Sequence, residues 1–271
     1  MAAPVSTPGW YVISLRPAGG HAGLRRAAAR RGGGLLALSP WRIVARDDPA
    51  TRQALRAALA APRVVFTSPA AVRAAAALQA LDATGARLFA VGAGTAAALR
   101  RAGAGAVCAP ERMDSEGLLA LPDLHAVAGE PLGLVTAPGG RGRIAATLRA
   151  RGARIRRADV YERVDTPPSA AAVARLRALQ AAAVVAVSSG AALARILEAL
   201  PADAARRLRD CPAVAASERL RAQARALGFA QVAVAAGPRP AQLVAAAEAA
   251  LPGGARRLAG KLAAAQGNGR A

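Results

Sequence analysis

Residues 134–164, LVTAPGGRGRIAATLRARGARIRRADVYERV, repeat the pattern of residues 14–44, SLRPAGGHAGLRRAAARRGGGLLALSPWRIV. Each segment leaves an apolar stretch, passes through an Arg- and Ala-rich helix pattern, and reaches an aromatic residue near its end. Tyr161 corresponds to Trp41 at an offset of 120 residues (161 − 41). The same pattern is therefore present twice in this chain.

The repeat continues beyond these two segments. VAVSSGAAL at 185–193 corresponds to VVFTSPAAV at 64–72. The offset between Ser68 and Ser189 is 121 residues (189 − 68). Solenoid units are only about 20–50 residues long, whereas a period of this length matches a whole domain. We therefore expect two similar domains with an active-site cleft between them, because clefts between domains are preferred ligand sites.

Strand and helix patterns alternate along each half. In the first half, the apolar run 63–67 precedes a helix pattern at 69–81, and the run 87–91 precedes a helix pattern at 95–102. Strands separated by helices of about ten residues indicate parallel sheets with right-handed crossovers. The predicted fold class is therefore α/β, with a parallel sheet in each of the two domains.

Length and composition favour a folded protein outside the membrane. The chain has 271 residues, of which 54% are hydrophobic, which is enough for two cores. No apolar run approaches the roughly 20 residues that cross a bilayer. The N-terminal residues 1–17 lack the basic segment of an export signal. We expect a cytoplasmic protein.

Cysteine and histidine are too scarce for a metal or disulfide framework. The chain has two cysteines, Cys108 and Cys211, and two histidines, His21 and His125. Neither histidine is near a carboxylate or Cys cluster, and the cysteines are far apart in sequence. We expect no metal, and we interpret both histidines as core or surface residues.

The net charge of +21 favours an anionic partner. Nucleic acid and a small polyanion are the two candidate classes. The arginines are scattered rather than clustered, only 3% of the residues are aromatic, and no zinc-finger or RRM signature is present. A basic nucleic-acid-binding regulator is therefore the less favoured alternative. A hinged, non-catalytic protein that binds an anionic ligand between two domains is another.

Two strand-to-helix junctions carry hydroxyl pairs, Thr67-Ser68 in the first half and Ser188-Ser189 in the second. The carboxyl ends of parallel strands are where α/β proteins bind ligands. Free N–H groups and the helix dipole at such a junction favour a carboxylate or phosphate. The alternative is that Ser68 and Ser189 only cap their helices, which is worth about 1 kcal/mol each.

Gly92-Ala93-Gly94-Thr95 fits the start of a dinucleotide fingerprint after a strand. Such a fingerprint should open the first βαβ unit and be followed by an acidic residue about 20 positions later. Here the unit lies in the middle of a domain, and the next strand pattern reads Cys108-Ala109-Pro110-Glu111 instead. We interpret Gly94 and Thr95 as an anion-binding turn at a helix start.

Arginines occupy two further junctions. Gly139-Gly140-Arg141 precedes a helix pattern in the second half, and Arg16-Pro17 occupies the equivalent place in the first. An arginine there can donate two hydrogen bonds to one carboxylate. The alternative is a solvated side chain in an arginine-rich protein.

Taken together, these motifs resemble the uroporphyrinogen-III synthase family, and the resemblance covers roughly residues 10–251. The motifs, in order, are RP, TSPAAV, VGAGTA, APERMDSEGLL, GGR, VYER and the second SSGAAL. One departure is that Leu220 falls opposite Thr95 when Gly103 and Gly228 are matched. The second turn then reads Ala-Ser-Glu-Arg, and Ser217 is its remaining candidate hydroxyl.

The resemblance implies two α/β domains, one inserted into the other and joined by a two-stranded linker. The first domain would combine residues 1–38 and 167–251, the second would span 46–159, and the linkers would be 39–45 and 160–166. The opening strand and helix of each sequence repeat would then pack into the other copy's domain. Residues 252–271 are expected to form a flexible tail.

The resemblance also implies a function. Family members are lyases that cyclise the linear tetrapyrrole hydroxymethylbilane to uroporphyrinogen III, with inversion of ring D and loss of water, in heme biosynthesis. They need no cofactor. The expected partner is thus a small polycarboxylate substrate rather than nucleic acid, and we expect a monomer.

The resemblance further points to Tyr161 as the catalytic residue. Loss of hydroxide as water needs a proton donor, and the chain has few histidines, so a phenol is a suitable acid. The alternative is an aromatic residue that only packs the linker. The residues expected to bind substrate are Arg16, Thr67, Ser68, Gly94, Thr95, Gly140, Arg141, Ser188, Ser189 and Ser217.

Overall fold

The computed structural model describes residues 8–82, 85–139 and 142–251. Its elements, in chain order, are β1 (Trp10–Ser14), α1 (Ala22–Ala29), β2 (Gly33–Ala37), β3 (Trp41–Ala45), α2 (Pro49–Leu59), β4 (Arg63–Phe66), α3 (Pro69–Leu78), β5 (Arg87–Ala90), α4 (Ala93–Arg101), β6 (Val107–Cys108), α5 (Ser115–Leu119), a short 3-10 helix (Pro122–Leu124), β7 (Pro131–Thr136), α6 (Arg143–Ala150), β8 (Arg154–Asp159), β9 (Tyr161–Asp165), α7 (Ala170–Arg177), β10 (Ala182–Val187), α8 (Gly190–Ala199), α9 (Ala202–Arg209), β11 (Ala213–Ala215), α10 (Glu218–Ala226), β12 (Val232–Val234) and α11 (Pro240–Ala250). Residues 252–271, for which a flexible tail is expected, lie outside the described part of the chain.

The chain forms two compact units. The first unit comprises the described residues up to Arg42 and those from Asp165 onward, and the second is Ile43–Val164. Each unit has one five-stranded sheet, ordered β12-β11-β10-β1-β2 in the first and β6-β5-β4-β7-β8 in the second. All the neighbouring strands of both sheets pair in parallel. The predicted class, two parallel-sheet α/β domains, is confirmed.

The two sheets have the same layout, and each takes strands from both sequence repeats. In the first unit, β1 and β2 of the first repeat lie beside β10, β11 and β12 of the second. In the second unit, β4, β5 and β6 of the first repeat lie beside β7 and β8 of the second. The opening strand and helix of each repeat are therefore exchanged between the units.

A separate two-stranded sheet pairs β3 with β9. The Arg46 N–H donates to the Val160 carbonyl (3.0 Å), and the Thr166 N–H donates to the Pro40 carbonyl (3.0 Å). Because residue numbers rise along one strand as they fall along the other, the pair is antiparallel. The unit boundaries fall inside these strands. The separate linker ranges expected from the sequence remain a prediction.

Glycines 32–34 end α1 and make room for two aromatic rings. Gly32 has a φ of +70°, which suits the position after a helix end. A Cβ at Gly33 would lie 2.6 Å from the Trp10 ring, and one at Gly34 would lie 2.5 Å from the Tyr11 ring. The strand β2 therefore begins at Gly33.

Each unit has its own apolar core. In the first unit, Val12, Val184 and Val214 of three neighbouring strands pack against α1 and α11. In the second unit, α2, α3 and α4 cover one cluster, which includes Phe66 and Tyr161. Helices therefore bury the sheet faces, as a parallel sheet requires. None of the helices in the described ranges is long and apolar enough to cross a membrane.

Candidate active site

The second sheet has a topological switch point between β4 and β7. The chain proceeds from β4 to β5 and β6 on one side, and from β7 to β8 on the other. Ligands of open α/β sheets bind outside the carboxyl ends of strands at such a point. Here Thr67 follows β4 and Thr136 ends β7, and the Thr67 hydroxyl donates to Thr136 Oγ1 (2.8 Å).

Ser68, the next residue, joins the switch point to Tyr161. Its Oγ atom accepts the Ala71 N–H (3.0 Å) and thereby caps α3. The same Oγ lies 3.1 Å from the hydroxyl of Tyr161, the second residue after β8. Tyr161 is only 3% exposed and belongs to the core cluster of this unit. The core therefore fixes the ring, while the phenol reaches the sheet edge.

The start of α4 lies beside the start of α3. A Cβ at Gly94 would lie 3.6 Å from Pro69 Cγ, and Gly94 itself is exposed. Gly92, the N-cap of α4, supplies no side-chain hydrogen bond. The N–H groups of Ala93 and Gly94, which precede the first intrahelical bonds, therefore point out of an uncapped helix end. This arrangement suits an anion.

Thr95 has a different place from the one its motif suggests. It is the third residue of α4 and is 4% exposed. The third residue of α10 is Leu220, which is equally buried. This position of the helix faces inward in both units. Direct contact between the Thr95 hydroxyl and a ligand remains a prediction, and the backbone of Gly94 is better placed for that contact.

The first sheet has its switch point between β10 and β1, by the same reasoning. Ser188 follows β10 and is exposed. Ser189 caps α8 by accepting the Ala192 N–H (3.3 Å). Ser14 at the end of β1 pairs with Ala186 of β10. Continuing this register by two residues places Arg16 opposite Ser188.

No carboxylate of the described residues pairs with the guanidinium of Arg16. Its Nε atom is buried without a hydrogen-bond partner, and burial lowers the pKa of its guanidinium. Beside it, His21 is 7% exposed. The His21 ring lies between two hydroxyls, with Nδ1 2.9 Å from Ser14 Oγ and Nε2 2.8 Å from Ser39 Oγ. Burial lowers the pKa of His21 most, and the nearby charges of Arg25 and Arg16 lower it further.

Ser217 is the N-cap of α10, where its Oγ accepts the Leu220 N–H (3.4 Å). It therefore corresponds to Gly92, the N-cap of α4, rather than to Thr95. The capping alternative raised from the sequence is real for Ser68, Ser189 and Ser217, since each hydroxyl caps a helix. Only Ser68 among them is also bonded to a second side chain in the described structure.

The structure places the sequence-predicted residues in two groups. Thr67, Ser68, Gly94, Thr95 and Tyr161 lie at the carboxyl edge of the second sheet, and Arg16, Ser188, Ser189 and Ser217 lie at the carboxyl edge of the first. Gly140 and Arg141 are outside the described residues.

Sequence reasoning missed the polar partners of these residues. Thr136 was not singled out, although it stands 120 residues after Arg16 (136 − 16) in the repeat. His21 was interpreted as a core or surface residue, and no sequence signal linked it to Ser14 or Ser39. Within the described ranges, no group of three His, Cys, Asp or Glu residues is placed to hold a metal ion.

Fold and site together define a two-unit α/β protein with hydroxyl-bearing strand-to-helix loops at the carboxyl edge of each parallel sheet. A family model described as uroporphyrinogen-III synthase HemD matches residues 23–245, most of the chain. The chain therefore belongs to the uroporphyrinogen-III synthase family. No curated protein shows significant sequence similarity to it.

Solved structures share the fold. A mutant uroporphyrinogen III synthase from the extremely thermophilic bacterium Thermus thermophilus is 18% identical, with a TM-score of 0.54, covering 86% of this chain and 95% of that chain. The uroporphyrinogen-III synthetase of Helicobacter pylori is 13% identical, with a TM-score of 0.54, covering 84% of this chain and 93% of that chain.

Membership of the family establishes the activity in outline. The protein is a cyclising lyase of porphyrin and heme biosynthesis that acts on a linear polypyrrole and forms uroporphyrinogen III. This activity takes precedence over the two alternatives considered from the sequence, a non-catalytic anion-binding protein and a nucleic-acid-binding regulator.

Proposed function

We propose that Tyr161, acting with Ser68, donates the proton that the leaving hydroxyl of hydroxymethylbilane needs. The observation that carries this proposal is the 3.1 Å contact between the Tyr161 hydroxyl and Ser68 Oγ at the carboxyl edge of the second sheet. A buried ring in the core fixes the acid in position, which favours proton transfer in a defined geometry.

The hydrogen-bond capacity of Ser68 leaves one proton free for the substrate. A hydroxyl has one O–H donor and two acceptor positions. Ser68 Oγ already accepts the Ala71 N–H. If Ser68 donates to the phenol oxygen, the Tyr161 proton is free. If Tyr161 donates to Ser68, the serine proton is free instead. Either arrangement presents one O–H group to the leaving oxygen.

The proton balance closes over the whole reaction. The C–O bond of the hydroxymethyl group breaks, its electrons leave with oxygen, and the donated proton completes a water molecule. The pyrrole nitrogen lone pair stabilises the resulting azafulvene cation. Ring closure through a spiro intermediate ends with loss of a proton from a ring carbon, and that proton restores the acid. No cofactor enters this balance.

We propose that the substrate's carboxylates bind at helix starts and at arginine. The uncapped start of α4 supplies the N–H groups of Ala93 and Gly94. Thr67 and Ser188 supply hydroxyls at the switch points, and Ser189 and Ser217 lie at the starts of α8 and α10. Arg16 adds a formal charge, and Arg141 is proposed from the sequence alone.

A direct experiment tests the assignment of Tyr161 and Ser68. Purified protein is incubated with freshly generated hydroxymethylbilane, and the type I and type III isomers are separated by chromatography. We expect the type III isomer with wild-type protein and mainly the type I isomer with Tyr161→Phe. Equal type III yields would assign Tyr161 to packing. The monomeric state and cytoplasmic location expected from the sequence remain predictions.

A further inference from the structure

We propose that Arg16, His21 and Ser39 form a carboxylate-binding subsite in the first unit, in which Arg16 takes the carboxylate and His21 is the positioning residue. This inference rests on the proposed function, because the carboxylate belongs to the tetrapyrrole. The subsite occupies the loop that follows β1, at the switch point of the first sheet.

The first argument is an uncompensated charge. Among the described residues, no ion pair involves Arg16, and the Nε atom of Arg16 is buried without an acceptor. Arg16 is half-buried, and leaving its buried Nε–H donor without an acceptor is costly. Other arginines of this chain have carboxylate partners, such as Arg177 with Asp203 (2.7 Å). A carboxylate that reaches the guanidinium would supply the missing charge and acceptor.

The second argument is that the loop is fixed before any ligand binds. The Ala18 N–H donates to the Trp41 carbonyl (3.0 Å), and the Gly20 N–H donates to the Pro17 carbonyl (2.8 Å). Gly19, with a φ of +79°, allows the turn. A binding loop that is already ordered spends less conformational entropy when the ligand arrives.

The third argument is the position of the imidazole. His21 bridges the end of β1, through Ser14, and the segment after β2, through Ser39. Both ring nitrogens are therefore occupied, and His21 ties two strand ends to the loop that carries Arg16. Because burial and the charge of Arg16 both lower the pKa of His21, its neutral form is favoured beside the guanidinium.

The fourth argument is location. The register of β1 and β10 ends at Ser14 and Ala186, and its continuation by two residues would bring Arg16 opposite Ser188, the second residue before α8. In the second unit, the corresponding register pairs Phe66 with Val135, and the next residues are Thr67 and Thr136. Arg16 thus occupies, beside a ligand-binding junction of the first unit, the place that Thr136 occupies in the second.

The two histidines of the chain make the test specific. The protein is labelled with nitrogen-15 histidine, and the ring signals of His21 and His125 are followed by NMR. The probe is uroporphyrin III, the oxidised and stable form of the product. His125, exposed and in the other unit, is the internal control.

With saturating probe, we expect the His21 ring signals of the wild-type protein to shift while those of His125 stay in place. In Arg16→Met, the His21 shift should disappear and the Kd of the probe should rise about tenfold or more, because a charge-assisted hydrogen bond is lost. A His21 signal that does not move in protein that binds the probe would overturn the subsite. So would an unchanged Kd in Arg16→Met.

Variants of the imidazole separate positioning from folding. His21→Phe removes both hydrogen bonds and should raise the Kd as Arg16→Met does, whereas His21→Gln, which retains polar atoms for the two serines, should recover part of the affinity. Ser169→Ala removes only the cap of α7 in the same unit and is the control. Equal affinity in His21→Phe and wild type would contradict the positioning role.

Failure of the subsite and failure of the proposed function give different results. Loss of type III isomer formation by the wild-type protein would defeat the function itself. A wild-type protein that forms the type III isomer, with Arg16→Met unchanged in Kd, would defeat only the subsite.

Discussion

The hydroxyl of Tyr161 lies 3.1 Å from Ser68 Oγ, although 93 residues separate them in sequence. The contact joins the second residue after β8 to the residue that caps α3. Two strands that are not neighbours in the sheet, β4 and β8, are thus linked at their carboxyl ends across β7. This link makes the roles of the two residues testable together.

Tyr161→Phe should lower turnover about 10²–10⁴-fold, the usual contribution of a general acid. The ring stays in the core, so thermal stability and product affinity should change little. Tyr11 is the only other tyrosine of the chain and lies in β1, so Tyr11→Phe is the matched control. Steady-state kinetics with fresh substrate measures both variants. A Tyr161→Phe enzyme that retains more than about a third of wild-type turnover would show that Tyr161 only packs.

Ser68→Ala and Ser169→Ala remove the same kind of helix cap from α3 and α7. Each should cost about 1 kcal/mol of the free energy of unfolding. Only Ser68→Ala also removes the partner of the Tyr161 hydroxyl, so only this variant should lose turnover, by about tenfold or more. Urea unfolding and kinetics of both variants separate the two effects. Equal turnover would leave Ser68 as a cap alone.

Much of the fold could be predicted from the sequence, because apolar strand patterns and Ala-rich helix patterns recur in both halves and each pattern is a local signal. The junctions at Ser68 and Ser189 could be predicted for the same reason. The partners of these residues could not, because a contact such as Thr67 with Thr136 depends on strand register across 69 residues. The burial of Thr95 could not be predicted either, because it depends on how α4 packs in the folded unit.

The bridge formed by His21 shows the same limit on local reasoning. Ser14, His21 and Ser39 belong to a strand end, a loop and a segment after another strand. Nothing in their spacing indicates a hydrogen-bonded set, because only the parallel pairing of β1 with β2 brings the two ends together. The sequence left open whether His21 lies in the core or at the surface; the residue is buried, and its polar partners emerge only from the tertiary structure.

Acidification should destabilise the protein through His21. Burial, then Arg25 and Arg16, lowers the pKa of His21 below its ordinary value of 6.5. Just below pH 6.5, His21 is therefore protonated more in the unfolded chain than in the folded protein. The free energy of unfolding falls as the pH drops below 6.5, and it stops falling once the folded-state pKa of His21 is passed. Urea unfolding from about pH 7.5 to about pH 5 should show this slope, and His21→Gln should flatten it.

Asp203 makes the free energy of unfolding depend on pH in a more acidic range than His21 begins to do. Its hydrogen bond with Arg177 lowers the pKa of Asp203 from 3.8 to about 2. The stability that the ionised Asp203 contributes is fully present above its ordinary pKa of 3.8. It is lost as the pH falls from 3.8 toward the folded-state pKa of about 2. The Asp203 window opens at 3.8, whereas the His21 window opens at 6.5. A slope near neutral pH that persists unchanged in His21→Gln would contradict the assignment to His21.

Gly94→Ala should raise stability and weaken substrate binding at the same time. Gly94 is the second residue of α4, its φ is not positive, and an added Cβ would meet only Pro69 Cγ at 3.6 Å, an ordinary contact. Replacing glycine in a helix by alanine should therefore stabilise the fold by up to about 1 kcal/mol. The same methyl group would occupy the space next to the N–H of Gly94, where we propose that a substrate carboxylate binds. KM should therefore rise several-fold while kcat changes less.

Ala97→Gly, at an exposed position of the same helix, is the matched control and should lower the melting temperature without changing KM. Thermal unfolding and steady-state kinetics on the two variants measure the opposing effects. A stabilised Gly94→Ala enzyme with the KM of wild type would exclude the start of α4 from the substrate site.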